Sequence, residues 1–261
     1  VTAQAGPADP HLQAIAAGEQ AETPWVELRR FTSARVALGR AGHGLPTAAH
    51  LDFQEAHARA RDAVHSALDL DALEAALGLP AIRVASQAAD RRSYLLRPDL
   101  GRRLREADRA RLPQAPGAFL FVVADGLCAI GVQRQAPALI AAALPMLRRA
   151  GLAVAPVVLA SQARVALGDE IGEAMGAAMV AVLIGERPGL SATDSLGLYL
   201  TLGPRRGRTD AERNCISNIR PGGMTPAAAA EKLLWLAGAA LRLGATGVAL
   251  KDEQPGGTLL P

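Results

Sequence analysis

Phe119-Leu-Phe-Val-Val-Ala-Asp-Gly126 is the stretch whose reading decides the fold. Its six apolar residues show no polar alternation, so both faces of the segment are buried. That is the pattern of a strand inside a covered, parallel sheet. Asp125-Gly126 is the turn that takes the chain off the sheet. The same texture recurs downstream. A helix should follow to Arg149, then a second buried strand at Val154–Leu159. A short helix is expected from Asp169 to Ala177. A third buried strand spans Met179–Ile184 and ends at Gly185-Glu186, and Leu198–Thr201 supplies a fourth. A polar, arginine-rich loop covers 203–223. Thr225-Pro226 starts a helix ending at Gly244, and Thr246–Leu250 reads as a last strand. Alternating buried strands and helices predict an α/β fold, with a Rossmann-like, mostly parallel sheet and helices on both faces.

Upstream, Pro113 and Pro116 mark a boundary and the texture changes. Residues 1–23 carry no period and read as a mobile leader. Thr23-Pro24 starts a helix carrying Trp25, Leu28, Phe31 and Arg35 on one side, broken by Gly39 and Gly42. Thr47 should cap a longer helix to about Leu68. Asp71 should cap a short one ending at Gly78, and Ile82–Val84 suits a short strand. Pro98 opens an arginine-dense helix to about Leu112. The chain is thus expected in three parts: a leader (1–23), a helical part (24–112) and a Rossmann-like domain (113–261).

The 261 residues hold 28 basic and 25 acidic side chains, and every basic one except Lys232 and Lys251 is arginine. So small an excess, spread over both halves, argues against a wholesale polyanion binder. The longest apolar stretch, Ala174 to Gly185, is shorter than the ~18 residues a membrane helix needs. No basic-then-apolar segment opens the chain. Cys128 and Cys215 form no CxxC, which suits a cytosolic protein with free thiols.

Several motifs are absent. No GxGxxG follows the first buried strand, and there is no GK[ST], HExxH or GxSxG. His50, His57 and His65 fall roughly on one side of the second helix. Spacings of seven and eight residues separate them by ~10–12 Å along the axis, too far for one metal. Packed or partner-facing histidines are the better reading. The stretch Arg91–Arg111 could grip phosphates. Its acids neutralise half the charge and few aromatics are interleaved, so a salt-bridge-laced helix or a protein contact is favoured.

Ligands of open α/β sheets sit beyond the carboxyl ends of the strands. Three segments qualify: Asp125-Gly126; Ser161–Val165 leading into Asp169-Glu170; and Gly185–Gly189 followed by Ser191–Ser195. The loop Arg208–Arg220 is denser in polar groups than a connector needs and reads as a binding loop. The ligand stays open on these grounds. A cofactor-covering enzyme subunit and a non-catalytic module for another nucleotide-like ligand are both compatible.

Longer matches resemble the small subunit of ethanolamine ammonia-lyase. They include Phe31-Thr-Ser-Ala-Arg-Val-Ala-Leu-Gly-Arg-Ala-Gly42, Ala56-His-Ala-Arg-Ala-Arg-Asp-Ala-Val-His65, Leu183-Ile-Gly-Glu-Arg-Pro-Gly-Leu-Ser191, the loop Arg208–Arg220, and Gly247-Val-Ala-Leu-Lys-Asp-Glu253. Together the matches run from about Trp25 to Glu253. The resemblance implies an adenosylcobalamin enzyme that converts ethanolamine to acetaldehyde and ammonia. It implies a catalytic large barrel subunit as partner in a hetero-oligomer, with no nucleic acid or membrane involved, and a cytoplasmic location within a bacterial microcompartment. The radical chemistry is expected on the large subunit, so no catalytic or metal-ligating residue is assigned to this chain. The family's cobalamin contacts map to Val165, Glu186 and Cys215. Each has a structural alternative: sheet packing for Val165, an ion pair with Arg187 or Arg164 for Glu186, burial for Cys215. A DxHxxG motif is absent and no histidine lies past His65. The lower cobalt ligand is therefore expected to be the cofactor's own base, or at least no histidine of this chain.

Overall fold

The structure, a computed structural model, describes residues 27–32 and 34–254. The leader and the Thr23-Pro24 helix start lie outside the described residues. The chain divides into two compact units between His57 and Ala58.

In the first unit Leu28–Arg30 is a 3-10 turn, and the described residues from Phe31 to Arg35 are not helical, so the helix expected from Thr23-Pro24 does not reach Arg35. The Arg29 guanidinium caps the following segment by donating to the Val36 carbonyl (3.0 Å) and to that of Ala37. An isolated bridge joins Ala41 and Gly44. Helix α1 (Thr47–His65) crosses the division and stops three residues short of the expected Leu68.

The second unit holds the sheet. Helix α2 (Leu70–Leu77) is capped by Asp69, not Asp71: the Asp69 carboxylate accepts from the Ala72 N–H at 3.0 Å. Strand β1 (Ala81–Ala85) follows. The single helix expected after Pro98 is three short pieces: α3 (Arg91–Leu96), a 3-10 turn (Leu100–Arg102) and α4 (Glu106–Arg109). Tyr94 and Arg164 press on Gly101, leaving no room there for a side chain. Next come β2 (Phe119–Ala124), α5 (Ala129–Arg149), β3 (Val157–Ser161), α6 (Leu167–Met175), β4 (Met179–Gly185), β5 (Leu196–Leu202), β6 (Asn214–Ile219) and α7 (Pro226–Leu243).

The six strands lie in the order β1-β3-β2-β4-β5-β6. The first four are mutually parallel; β5 and β6 add an antiparallel edge. Three readings change here. The second buried strand starts at Val157, and Val154 makes only a lone bridge to Phe119. The polar loop 203–223 contains strand β6. The expected last strand is a 3-10 turn, Gly247–Ala249, because Gly247 (φ 82°) lies against the Ala211 carbonyl and Glu212 backbone. The sheet also crosses the expected boundary at residue 113, since β1 pairs along its whole length with β3.

Helices cover both faces. Alternate residues of the strands build two cores. Phe121, Val123, Leu159, Ala181, Leu183, Leu198 and Leu200 meet α5 and α7. On the opposite face Leu120, Val122, Val158, Val180 and Val182 meet α6 and the segment around Leu104 and Leu112. Strands β2 and β4 are buried at every position, as their unbroken apolar runs require.

The chain leaves β2 for β3 on one side and returns to β4 on the other, so β2 is where the strand order reverses. That crevice is closed. Asp125, 3 % exposed, accepts from the backbone N–H groups of Gln162 (2.8 Å), Ala163 (3.0 Å) and Gly126 (2.9 Å). Arg91 Nη1 stands 3.7 Å from the carboxylate and donates to the Gly126 carbonyl at 2.8 Å. Burial pushes the Asp125 pKa up, while the Ala163 and Gln162 N–H groups and Arg91 pull it back. Gly126 (φ 57°) then passes against β4: a Cβ there would meet the Gly185 carbonyl at 2.4 Å.

Two substitutions test this closure by urea unfolding of the full chain. Asp125→Ala strands three buried donors and a guanidinium and should cost about 3–5 kcal/mol. Gly126→Ala must adopt a left-handed backbone and also displace β4. It should cost about 3 kcal/mol or more, beyond the ~1–2 kcal/mol of the backbone conformation alone. A change under ~1 kcal/mol in either would show that the strand ends are not locked as described.

Candidate functional site

With the switch-point crevice filled, the accessible part of the strand ends is the β4–β5–β6 edge. Glu186 follows β4 directly, and the pleat places it on the same face as Val182 and Ile184. Strand β5 brings Gly197 and Tyr199 to that face, and β6 brings Cys215, registered opposite Tyr199. Helices α5 and α7 cover the reverse side of this edge; on this side α6 packs against β4, and among the described residues no helix packs extensively over β5 or β6. The outcome is a shelf with half-buried Glu186 and Tyr199 and exposed Cys215.

Glu186 is held firmly. Ser195 Oγ donates to its Oε2 at 2.5 Å, and the Asn218 N–H reaches Oε2 at 3.2 Å. Its own N–H bonds the Ser195 carbonyl. Neither Arg187 nor Arg164 pairs with it among the described residues. Arg164 lies instead over the Tyr94 ring at 4.2 Å and donates to the Tyr94 carbonyl. A Cβ at Gly197 would sit 3.0 Å from Glu186 Oε1, so glycine is what lets the carboxylate lie across β5. Cys215 is not a buried core residue. Desolvation raises its thiol pKa, Tyr199 opposes by donating a hydrogen bond, and Glu186 adds to the rise. The thiol is therefore neutral near pH 7. Burial likewise drives the Tyr199 hydroxyl upward, so it stays a neutral donor.

Val165 is half-buried and packs on the core of the same face, in the turn between β3 and α6. Two predicted segments meet just beyond it. Arg213, at the start of the polar stretch, donates to Asp169 at 2.7 Å, and both side chains are 2 % exposed. Burial pushes the Asp169 carboxyl up to about 6, against the pull of Arg213. At neutral pH the pair is ionised and ties α6 to the root of β6. Glu170 is also buried, which raises its pKa, but the Leu104 N–H, Arg103 and Arg206 outweigh that and hold it below the usual carboxylate range.

The strand-end logic located Glu186, and the polar density located the Cys215 segment. Ser195, Tyr199 and Asn218 join the site through strand register, which no local pattern announces. Asp125-Gly126 is a structural closure, not an open ligand edge. The histidines show no ligand geometry: Gln54 Nε2 lies 2.9 Å from His50 Nε2, and Phe53 stacks on His57. Among the described residues no group of three His, Cys, Asp or Glu side chains could hold a metal ion. No described helix is long and apolar enough to cross a membrane.

The family model for the ethanolamine ammonia-lyase light chain matches residues 22–251. The ethanolamine ammonia-lyase small subunit of Azotobacter vinelandii is 55 % identical over 241 residues, covering 89 % of each chain. That of Bradyrhizobium diazoefficiens is 54 % identical, covering 88 % of this chain and 91 % of its own. The Ralstonia nicotianae small subunit is 53 % identical, covering 88 % and 89 %. With a match of this extent across both the α1 segment and the sheet, the chain belongs to the ethanolamine ammonia-lyase small-subunit (light-chain) family.

Proposed function

We propose that this chain covers one side of adenosylcobalamin in an ethanolamine ammonia-lyase whose substrate site and radical chemistry reside in a large barrel subunit. One observation carries the reading: Glu186, Tyr199 and Cys215 share one face at the β4–β5–β6 edge that no described helix covers, with Val165 on the same side of the sheet. The shelf suits a broad disc with an apolar rim and amide arms. Val165 and the Tyr199 ring offer hydrocarbon. The Glu186 carboxylate, fixed by Ser195 and the Asn218 N–H, keeps lone pairs for amide or hydroxyl donors. Bare backbone at Gly197 permits close approach. Adenosylcobalamin supplies the radical that drives conversion of ethanolamine to acetaldehyde and ammonia. In this reading the residues of this chain bind and orient the cofactor, and hydrogen abstraction from substrate belongs to the large-subunit side.

The first part of the chain offers a docking surface for the large subunit. Leu51 and Phe53 of α1 are exposed, and Ala63 is the only buried residue of that helix. Because β1 belongs to the sheet, deletion of residues 1–112 would strip an edge strand from it, so point substitution is the cleaner probe.

Glu186→Gln keeps the shape and removes the charge. Loss of a charge-assisted hydrogen bond of ~1.5–3 kcal/mol should weaken adenosylcobalamin binding to the two-subunit enzyme roughly ten- to a hundredfold. The limiting rate at saturating cofactor should stay near wild type. A collapsed rate with unchanged affinity would place Glu186 in the reaction and defeat the covering role.

The double variant Leu51→Asp/Phe53→Asp should leave the thermal midpoint of the lone chain unchanged. It should weaken association with the large subunit at least tenfold, measured by sedimentation. The lone chain, wild type or variant, should not turn over ethanolamine with adenosylcobalamin. Turnover by the lone chain would refute the division of labour.

A further inference from the structure

A cleft of about 240 Å3 opens over the first turn of α6, lined by Arg102, Arg103, Ala166, Asp169, Glu170, Arg206, Gly207 and Arg208. Its side chains bring four guanidinium groups and two carboxylates. The internal pairing does not cancel them. Asp169 is answered from beneath by Arg213, which is not part of the lining. Each guanidinium nitrogen of Arg208 already donates, to Glu212 and to the carbonyls of Gly203 and Leu202. Glu170 takes Arg103 Nη1 (3.0 Å) and Arg206 Nε (2.9 Å) on the same oxygen, while its other oxygen accepts the Leu104 N–H. Each of these two arginines thus gives Glu170 a single N–H and keeps the rest of its fork. The carboxylate orients the pair more than it neutralises it. The Arg102 side chain makes no hydrogen bond or ion pair among the described residues.

We propose that this cleft binds a phosphate group, held by Arg102, Arg103 and Arg206. Three guanidinium forks converging from two separate segments suit a tetrahedral oxyanion, which offers oxygens in several directions, better than a planar carboxylate. The volume admits one such group. Two sources share this chemistry. One is free inorganic phosphate or a small phosphate ester. The other is a phosphodiester on the nucleotide tail of the proposed cofactor: Ala166, which lines the cleft, directly follows Val165. Only this second source rests on the reading of the preceding subsection.

The test uses the full chain. Thermal unfolding is followed with inorganic phosphate against sodium chloride at matched ionic strength. Wild type is compared with Arg102→Gln and with Arg148→Gln, an equal charge loss at the exposed end of α5. Phosphate should raise the midpoint of wild type and Arg148→Gln alike, and Arg102→Gln should weaken the apparent phosphate affinity at least fivefold. The assembled enzyme is then titrated with adenosylcobalamin and with adenosylcobinamide, which lacks the nucleotide tail. If the cofactor is the source, Arg102→Gln weakens the first by a similar factor and leaves the second unchanged. If free phosphate is the source, neither titration responds. A wild-type chain indifferent to phosphate, or an equal response in Arg102→Gln, overturns the proposal. So does loss of large-subunit binding in Arg102→Gln without any phosphate effect, which makes the cleft a protein contact. A phosphate response that depends on Arg102, with cobalamin affinity untouched by Glu186→Gln, keeps this site and rejects the cofactor reading instead.

Discussion

The Asp125 carboxylate fixes where everything else at the top of the sheet can lie. Two parallel strands, β2 and β3, end there with exit turns whose backbone N–H groups have no strand partner. A buried donor left without an acceptor costs about 1–3 kcal/mol. One carboxylate collects three of them, from Gly126, Gln162 and Ala163, and Arg91 offsets part of the charge. The same contact forces Gln162 into a left-handed backbone (φ 53°) and draws β2 and β3 together where their connections diverge. In open sheets that divergence is ordinarily where a ligand enters. Here it is filled by the protein's own groups, and the usable edge is displaced to β4, β5 and β6.

Arginine does at the lower part of the sheet what Asp125 does at the top. Only a permanently charged, planar donor can satisfy a buried carboxylate and neighbouring carbonyls together. Arg213 does so with Asp169, Thr201 and the Arg208 carbonyl. Lysine, a compact point charge that loses its proton when buried, would serve badly, which gives the near-absence of lysine in this chain a physical sense. These pairs join α6 to β6 and to the Leu100–Arg102 turn. The shelf proposed for the cofactor and the arginine cleft are therefore built on one electrostatic framework.

The strands hidden on both faces were legible because burial leaves a mark on every residue. Phe119–Ala124 and Met179–Gly185 are unbroken apolar runs, and Gly78, Gly176 and Gly244 close helices in the left-handed conformation. Strand β6 was not legible. Asn-Cys-Ile-Ser-Asn-Ile buries only Ile216 and Ile219, so at an edge it has the composition of a loop. Thr246–Leu250 erred the other way: its apolar residues pack without extending, since Gly247 must turn against the Glu212 backbone. The arginine-rich helix failed because propensity over 98–112 favours helix, while Gly101 is crowded by Tyr94 and Arg164. Position along the chain was enough to place Glu186 at the end of a buried strand. That Ser195 and Asn218 fix its carboxylate depends on two antiparallel pairings and a bulge between Leu196 and Leu198, which are long-range facts.

The antiparallel edge also explains why such a site belongs to a subunit. A parallel strand must be followed by a crossover helix, and that helix covers a face of the sheet. Strands β5 and β6 return without one, so no described helix covers their upper face while α7 packs on the lower. An open shelf can position a broad ligand by one side only. It cannot exclude water from the other, and radical intermediates need that exclusion. On the proposed function the closing wall comes from another body. The exposed Leu51 and Phe53 of α1 and the one-sided placement of Val165, Glu186, Tyr199 and Cys215 both suit a chain that completes a cavity shared with that body.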